Sequence, residues 1–228
     1  MMRACTSTWV EVDGACFENA TMPTTRKSHW EQVYAARPPE SVSWFQVDPV
    51  LSLNLIRQFA ADPATAVIDV GGGASRLVDA LLGAGYRNVS VLDIAAAALA
   101  HAQRRLGDQA RHVTWLESDI TGFSPAQHYG LWHDRAVFHF LTEAADRRAY
   151  VQVLKSALGP NGVAILAAFA PGGPPQCSHL DVRHYDAERI SAELDGGFTL
   201  IAEQQELHVT PAGAQQPFNY FVFRRAAS

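Results

Sequence analysis

The chain has 228 residues, of which 48% are hydrophobic and 18% charged, values that exclude a mainly disordered protein and fit one globular domain. The formal net charge is −5 and no Lys/Arg run exceeds a pair, so nucleic acid is a disfavoured partner. The three cysteines, an odd number without a CxxC pair, are typical of a reducing compartment, and we expect a cytoplasmic protein.

The first part of the chain combines an extension with two helical segments. Residues 1–26 contain no continuous apolar stretch of a secretion signal, and we expect a loosely ordered extension with no assigned function. The patterning then predicts helices over 27–34 and 50–60, separated by a loop with prolines and aromatic residues. Residues 27–60 are therefore predicted as the helical beginning of one domain that covers 27–228.

The middle of the chain alternates short β-branched runs with helix-like segments. The predicted strands cover residues 66–71, 88–94, 111–119, 129–138 and 163–170, and the helices between them cover 75–85, 95–107 and 143–158. Such alternation is typical of consecutive βα units in a parallel sheet. The run 163–170 is the longest apolar stretch and is too short to span a bilayer, so no membrane partner is expected. Residues 64–170 form the predicted ligand-binding core.

The last part of the chain, residues 171–228, departs from this alternation. A long loop over 171–185 precedes a short helix over 186–194, and two further strands, 198–209 and 217–225, are joined as a hairpin. A hairpin at the end of a parallel sheet is unlike a regular dinucleotide-binding domain. This part is predicted to lie on the acceptor side of the site.

A glycine-rich turn follows the first strand of the core, in the stretch VIDVGGGASRL. A dinucleotide fingerprint requires G-x-G-x-x-G, and here Gly71 and Gly73 supply the first pair while Arg76 takes the third position. Asp69 stands two residues before the first glycine. A carboxylate there suits S-adenosylmethionine, which carries an ammonium and a sulfonium and has no phosphate for the helix N-terminus. The alternative is a plain tight turn in which Asp69 caps the next helix.

Two further acids end the next two predicted strands. Asp93 ends VSVLD, about 20 residues beyond the glycines, where dinucleotide sites also place a carboxylate for ribose hydroxyls. Asp119, in WLESDI, is placed to accept an adenine amino group, with a turn or cap role as an equal alternative. Because parallel strands end at one edge of a sheet, Asp69, Asp93 and Asp119 are expected to line one ligand-binding edge.

In this order, VIDVGGGASRL, VSVLDI, WLESDI and YGLWHDRAVFHFL resemble the motifs of class I S-adenosylmethionine-dependent methyltransferases over roughly residues 27–225. The resemblance implies a single doubly wound, Rossmann-like α/β domain with a seven-stranded, mostly parallel sheet whose last strand is antiparallel. It also implies S-adenosylmethionine as the cofactor. By position, the residues implied are Asp69, Gly71, Gly72, Gly73 and Ser75 for the methionine part, Asp93 for the ribose, Asp119 with Ile120 for the adenine, and Ile94 as a further contact. Ser75 stands where many members carry a third glycine.

The segment HWEQVYA…SVSWFQVDP resembles a bacterial branch of that family related to the citrate-synthase-lysine methyltransferases. In that branch Trp30, Tyr34 and the segment Trp44-Phe45-Gln46 would form a lid over the cofactor. Trp30, Tyr34 and Trp44 are therefore predicted cofactor contacts, and Phe45 and Gln46 predicted substrate contacts. Protein-lysine methylation stays open as an alternative activity, as do a nicotinamide-dependent oxidoreductase and a cofactor-binding module without catalysis.

The methyl acceptor is predicted to bind past the fourth strand, at His133-Asp134-Arg135. Asp134 or His133 is the candidate to take the acceptor's proton, and Arg135 the candidate to stabilise an anionic nucleophile. The alternative is an Asp134–Arg135 pair that only fixes the loop. LWHDRA is also similar to the WDRG element of thiopurine S-methyltransferases. Since a thiol has a free pKa of about 8.5, a nearby arginine favours the thiolate, and a small-molecule thiol is the predicted acceptor.

Further substrate contacts are predicted downstream of that triplet. His139 is a candidate base, with a packed core histidine as the alternative. His179, Arg183 and Tyr185 are candidate pocket-wall residues, with solvated loop side chains as the alternative. Cys177 and His179 lack partners at ligand spacing, so no metal site is predicted. The sequence predicts no oligomeric state.

Overall fold

The computed structural model describes residues 9–12, 15–18, 25–194 and 196–227. Near the N-terminus, β1 (Trp9–Val12) and β2 (Ala15–Glu18) pair as an antiparallel two-stranded sheet. Most of the predicted loosely ordered extension, residues 1–26, lies outside the described residues, so that expectation stays a prediction. Within the described ranges, none of the helices has the length and apolar character needed to cross a bilayer.

A seven-stranded sheet forms the centre of the domain. Its strands are β3 (Val67–Val70), β4 (Val89–Asp93), β5 (Val113–Glu117), β6 (Tyr129–Arg135), β7 (Leu158–Phe169), β10 (Phe198–Val209) and β11 (Gln215–Arg225), with β8 (Gln176–Cys177) and β9 (Leu180–Asp181) as a separate ribbon. The strand order is β10-β11-β7-β6-β3-β4-β5, and within this sheet β11 alone runs antiparallel to its neighbours. The predicted seven-stranded sheet with an antiparallel last strand is confirmed.

Helices cover both faces of the sheet. They are α1 (Arg26–Ala36), α2 (Val50–Phe59), α3 (Leu77–Gly83), α4 (Ala96–Leu106), α5 (Ala144–Ala157) and α6 (Ala187–Leu194). One apolar cluster joins the sheet to α2, α3 and α4 through Leu55, Leu77 and Leu99. The other joins it to α5 and α6 through Tyr150 and Ile190. The domain is therefore a three-layer α/β/α structure.

Two predicted boundaries differ from the observed ones for local reasons. The fourth strand, predicted to reach residue 138, ends at Arg135, because Ala136 adopts a left-handed φ of 71° and a 3₁₀ turn follows over Phe138–Phe140. Helix α3 was expected from residue 75 and begins at Leu77. The Ser75 hydroxyl accepts the Leu77 amide hydrogen bond at 3.1 Å, so this side chain helps to start the helix.

The strands β3, β4, β5 and β6 run parallel and end at one edge of the sheet. The register places Asp69 between Val91 of β4 and His133 of β6, and Asp93 beside Glu117 of β5. The edge predicted to carry the binding acids is therefore formed by the carboxyl ends of neighbouring strands. Open α/β folds bind their ligands at this kind of edge.

Candidate active site

A cleft runs along this edge of the sheet beneath the lid, which we define as residues 26–49. Two adjoining cavities of about 710 and 550 Å³ make up the cleft. The larger cavity reaches Asp93 and Asp119, and the smaller one reaches Asp69. The walls that the two cavities share are Tyr34, Trp44, Val70, Gly71 and Arg135.

Polar contacts hold the lid on the edge of the sheet. Arg26 forms ion pairs with Asp119 at 3.0 Å and with Asp146 at 2.6 Å. The Glu31 carboxylate accepts hydrogen bonds from the first two backbone amides of α4, at 2.7 and 3.2 Å. Those amides have no partner within their own helix, and they attract negative charge. The lid is therefore attached at both the third strand end and the start of α4.

The glycine turn lies where side chains have no room. Gly71 has a φ of +67°, which is the left-handed region that favours glycine, and a Cβ on it would lie 2.1 Å from a Val137 methyl group. A Cβ on Gly72 would lie 2.4 Å from an Asp69 oxygen, and one on Gly73 would lie 2.4 Å from an Asp93 oxygen. The backbone of the turn thus covers the two acids closely, which only glycine permits.

The Asp69 carboxylate is buried, with 2% of the residue exposed. Its Oδ1 lies 2.7 Å from Nδ1 of His133, whose Nε2 lies 3.0 Å from the Ser52 hydroxyl. Its Oδ2 is buried without a hydrogen-bond partner in the described structure. Asp69 does not cap α3, so the alternative role considered for it does not occur. The unpartnered oxygen belongs to a residue that lines the smaller cavity.

The other two acids line the larger cavity in different ways. Asp93 accepts the Ala95 amide hydrogen bond at 2.9 Å, and burial raises the pKa of its carboxyl group to about 7. Asp119 accepts hydrogen bonds from the amide and hydroxyl groups of Thr121, at 2.9 and 2.8 Å, and both of its oxygens contact Arg26. Asp119 therefore has the cap role considered as its alternative. An adenine amino group would share this carboxylate with Arg26.

Aromatic rings form the wall of the larger cavity opposite these acids. The ring centroids of Trp30 and Phe140 are 5.0 Å apart, and those of Trp30 and Trp44 are 5.6 Å apart, both in edge-on contact. The Trp44 indole donates a hydrogen bond to the Tyr34 hydroxyl at 3.3 Å. Ile94 and Ile120 also line this cavity. The predicted lid residues are thus brought together over the strand ends, and Phe140 joins them without having been predicted.

The predicted acceptor triplet is not assembled as a catalytic group. Asp134 is fully buried and accepts hydrogen bonds from the Tyr150 hydroxyl at 2.6 Å and the amides of Val137 and Phe138 at 2.9 and 3.1 Å. Burial raises the pKa of Asp134 to about 6. His133 faces Asp69 instead of an acceptor. Asp134 lines neither cavity, so the expectation that it takes the acceptor's proton is corrected. His133 lines the smaller cavity with both ring nitrogens in contact with other side chains, and its role as a base stays a prediction.

Arg135 lines both cavities but is already bonded to the protein. Its guanidinium donates to the Tyr220 hydroxyl at 2.9 Å and to the Trp44 carbonyl at 3.0 Å, and it lies 3.4 Å from Glu206. It also stacks over the Phe218 ring. Its ionic partner is Glu206 of β10, so the Asp134–Arg135 pair considered as the alternative does not occur. The positive charge expected to favour a thiolate is balanced by a carboxylate.

Two of the downstream substrate candidates belong to the core. His139 is fully buried against Phe140 and Phe169, and this burial lowers its pKa to about 3, so it is the packed core histidine considered as its alternative. Tyr185 is buried against Phe138. The expectation that His139 is a base and that Tyr185 lines the pocket is corrected, because both residues are buried and neither lines either cavity.

The remaining candidates divide between wall and surface. Phe45 and Gln46 line the smaller cavity, as does Ser75. Arg183 and His179 line neither cavity, and Arg183 lies 3.8 Å from Glu193. Within the described ranges, no cluster of three or more histidine, cysteine or acidic side chains is arranged to hold a metal ion.

Besides Phe140, three more residues that line the cleft were missed by sequence reasoning. Cys177 lines the larger cavity, and burial raises the pKa of its thiol to about 11. Ser52 lines the smaller cavity beneath His133, and Arg26 lines the larger one. Each stands alone in its segment and acquires a role only through a partner distant in the chain. No local pattern could have identified them.

Comparison with known proteins agrees with this geometry. Residues 68–164 match a family model described as a methyltransferase domain. Nodulation protein S of Sinorhizobium fredii (strain NBRC 101917 / NGR234) is 30% identical over 101 residues, which are 44% of this chain and 45% of that protein. The chain thus spans about half the length of this curated relative. The chain carries a methyltransferase domain over residues 68–164.

Solved structures share the fold of this methyltransferase domain over most of its length. A structure reported for the conversion of a disulfide bond into a thioacetal group during echinomycin biosynthesis superposes with a TM-score of 0.73 at 20% identity, covering 90% of this chain and 94% of that one. The N-methyltransferase NodS from Bradyrhizobium japonicum WM9, in complex with S-adenosylhomocysteine, has a TM-score of 0.66 at 18% identity, with coverages of 88% and 99%. These likenesses extend the fold beyond the matched residues 68–164.

The cleft of the methyltransferase domain fits its cofactor. The unpartnered oxygen of Asp69 suits an ammonium group, and the Asp93 carboxylate on the wall of the larger cavity suits hydroxyl donors. Gly71 leaves backbone where a side chain would close the space. The predicted methyltransferase family is confirmed over residues 68–164. The part that each residue takes in binding stays a prediction.

Proposed function

We propose that the protein transfers a methyl group from S-adenosylmethionine to a small molecule bound between the lid and the end of β6. The supporting observation is the larger cavity, which joins the acid-lined edge to a wall made by Trp30, Trp44 and Phe140. The cavity lies beneath the lid, where a free small molecule reaches the strand ends more readily than a lysine side chain carried on a protein surface. Protein-lysine methylation is therefore the less favoured alternative.

Each end of the cleft has a part in this proposal. Asp69 takes the cofactor's ammonium group, Asp93 its ribose hydroxyls, and Asp119 with Ile120 its adenine. When bound, S-adenosylmethionine supplies a methyl group on a positively charged sulfur. The lid and its rings exclude water and align the acceptor with that methyl group, and alignment alone accounts for effective molarities of roughly 10⁵–10⁸ M in such displacements.

The acceptor brings its own nucleophile. Among the described residues that line the larger cavity, Asp93 and Asp119 lie at the cofactor end, and the thiol of Cys177 has a pKa raised to about 11. None of these groups is placed to remove a proton from the acceptor. A neutral amine attacks through its lone pair and releases its proton to water afterwards, whereas a thiol attacks after it has ionised.

An amine is the favoured acceptor and a thiol the second candidate. The pairing of Arg135 with Glu206 weakens the electrostatic support for a thiolate, and an aromatic wall suits the positive charge that develops on a methylated amine. The relative NodS is described as an N-methyltransferase. A thiol acceptor is supported by the similar structure that was reported for the conversion of a disulfide bond into a thioacetal group.

Two measurements test the proposal. Calorimetric titration of the protein with S-adenosylmethionine, S-adenosylhomocysteine and NADH should give heat with the first two alone. Mass spectrometry should then detect methyl addition within a panel of small primary amines and thiols, with the amines turned over faster. Binding of NADH without binding of S-adenosylhomocysteine would overturn the methyltransferase activity, and faster turnover of thiols would reverse the order of the two acceptors.

A further inference from the structure

A chain of buried polar side chains lies beneath the glycine turn. It runs from the Ser52 hydroxyl in α2, through the His133 ring in β6, to the Asp69 carboxylate in β3, with contacts of 3.0 and 2.7 Å. All three residues are at most 2% exposed. Buried polar groups persist where their hydrogen bonds are satisfied, yet Oδ2 of Asp69 has no partner in the described structure. Oδ1 of Asp69 is therefore bonded to His133, and Oδ2 remains able to accept a hydrogen bond from a ligand.

The proton positions follow from the chemistry of the groups. An ionised carboxylate only accepts hydrogen bonds, so Nδ1 of His133 carries the proton shared with Asp69. Nε2 lies 3.0 Å from the Ser52 hydroxyl, which fixes the ring at its far side. The contact from Nδ1 engages Oδ1 of Asp69. Oδ2 of Asp69 is left for a ligand that donates a hydrogen bond.

The glycine turn restricts what that ligand can present. A Cβ on Gly72 would come within 2.4 Å of Oδ2 of Asp69, so the backbone passes directly over this oxygen. The carboxylate rotates about its last side-chain bond in a broad, two-fold potential. Rotation would exchange the two oxygens and misplace the acceptor atom, and the short bond to His133 opposes it. The ring thus determines the direction in which Oδ2 is available.

We propose that His133 is a positioning residue for the cofactor, which holds Asp69 so that Oδ2 receives the α-ammonium group of the methionine part, with Ser52 as the anchor of the ring. The inference rests on the proposed function. It replaces the acceptor-base role considered for His133, since both ring nitrogens are engaged, by Asp69 and by Ser52. A purely structural role would stabilise the protein without selecting for the ammonium group.

Two substitutions separate these roles. In His133→Asn, the amide nitrogen replaces Nδ1 and can still donate to Asp69. In His133→Gln, the longer amide replaces Nε2 and can reach Ser52 but not Asp69. Two probes are titrated by calorimetry: S-adenosylhomocysteine, which carries the α-ammonium group, and 5′-methylthioadenosine, which lacks the whole amino-acid part.

His133→Asn should bind S-adenosylhomocysteine within about threefold of the original chain, and His133→Gln about tenfold or more weaker, because a charge-assisted bond is lost. Methylthioadenosine should bind all three proteins alike. Equal affinity of His133→Gln and the original chain for S-adenosylhomocysteine would overturn the inference, as would an equal loss for both probes. Failure of the original chain to bind either probe would instead overturn the proposed function.

Unfolding in urea checks that both variants fold. If His133→Gln does not, Ser52→Ala decides, because it frees the ring while leaving its bond to Asp69 possible. We then expect S-adenosylhomocysteine to bind about threefold weaker with methylthioadenosine unchanged, which corresponds to part of one hydrogen bond. Unchanged binding of both probes to Ser52→Ala would overturn the inference.

Discussion

The two halves of the cleft differ in whether their polar groups are already bonded to other protein groups. In the cofactor half, at the ends of β3 and β4, Asp69 keeps an oxygen without a protein partner and Asp93 faces the cavity. In the acceptor half, past β6, Asp134 and Arg135 are bonded to other protein groups, and the wall is made of rings. The first half recognises its ligand through charge and hydrogen bonds. The second offers mainly shape and apolar surface.

The largest effect is expected on stability, for a substitution of Asp134 in the acceptor half. Asp134→Ala leaves the Tyr150 hydroxyl and two backbone amides without an acceptor, and each buried unsatisfied group is costly. We expect the free energy of unfolding to fall by roughly 3 kcal/mol at pH 7, measured by urea denaturation. Tyr150→Phe removes one of these donors and also leaves the Trp132 indole without its acceptor, so it should lower the free energy of unfolding by about 2 kcal/mol.

Loss of methyl transfer in Asp134→Ala without loss of stability would contradict the contrast between the two halves of the cleft. If Asp134→Ala unfolded at the same urea concentration as the original chain but lost methyl transfer, the carboxylate would have to act on the acceptor. The acceptor half would then contain a working acid or base. The distinction between the halves would not hold.

Asp93→Asn tests the cofactor half through pH. Burial raises the pKa of Asp93 to about 7, so the folded protein holds this proton more tightly than the unfolded chain. The resulting stabilisation is complete below about pH 4 and is lost as the pH rises through 7. Asparagine carries no such proton. Between pH 5 and pH 8, the stability of Asp93→Asn relative to the original chain should rise by roughly 2 kcal/mol in urea unfolding.

The same variant should bind cofactor poorly although it folds well. Asparagine keeps an oxygen for the Ala95 amide but loses the charge that strengthens bonds to hydroxyl donors. Affinity for S-adenosylhomocysteine should fall about tenfold at pH 8 by calorimetry. An unchanged affinity would remove Asp93 from the ribose site and weaken the contrast between the halves.

Phe140→Ala addresses recognition by shape. The ring packs edge-on against Trp30, and its loss should open the acceptor wall. We expect kcat/KM for the acceptor to fall about tenfold, mainly through KM, with a smaller change in S-adenosylhomocysteine affinity. Phe140→Leu keeps much of the volume and should recover most of the loss. A larger loss of cofactor affinity than of acceptor KM would place the ring in the cofactor half.

The smallest effect is expected at the lid. Arg26 is partly exposed and pairs with Asp119 and Asp146, so Arg26→Gln should cost at most about 1 kcal/mol and speed S-adenosylhomocysteine release about fivefold in stopped-flow experiments. Lys27→Gln is the control, because the Lys27–Glu117 pair is more exposed. It should leave the release rate unchanged. Equal effects of the two substitutions would argue against a specific role of Arg26.

The cofactor half was predictable because its signals are local. Asp69 lies near the end of β3 with three glycines after the strand, Asp93 ends β4, and Asp119 comes two residues after β5. The rule that parallel strands end at one edge sufficed to group them. The helices and strands followed from periodicity in the same way. Errors of a few residues arose where backbone geometry decides, as at Ala136 with its left-handed φ.

The acceptor half was not predictable because its partners come from distant segments. Asp134 meets Tyr150 of α5, while Arg135 meets Glu206 and Tyr220 of the terminal hairpin. By its residue types alone, the triplet His133-Asp134-Arg135 suggests a catalytic group. Which side chains remain unsatisfied can be decided only after the long-range contacts are known, and those contacts leave no periodic trace in the sequence.

The position of β11 has a consequence for biosynthesis. This strand lies between β7 and β10, both of which leave the ribosome before it. The strands β3 to β6 can therefore pair while translation continues, whereas the edge of β7 stays open until residues 215–225 emerge. Tyr220 arrives with this last strand and brings the hydroxyl that Arg135 bonds. A nascent chain thus completes its cofactor edge first, and chaperones would meet it with the acceptor half still open.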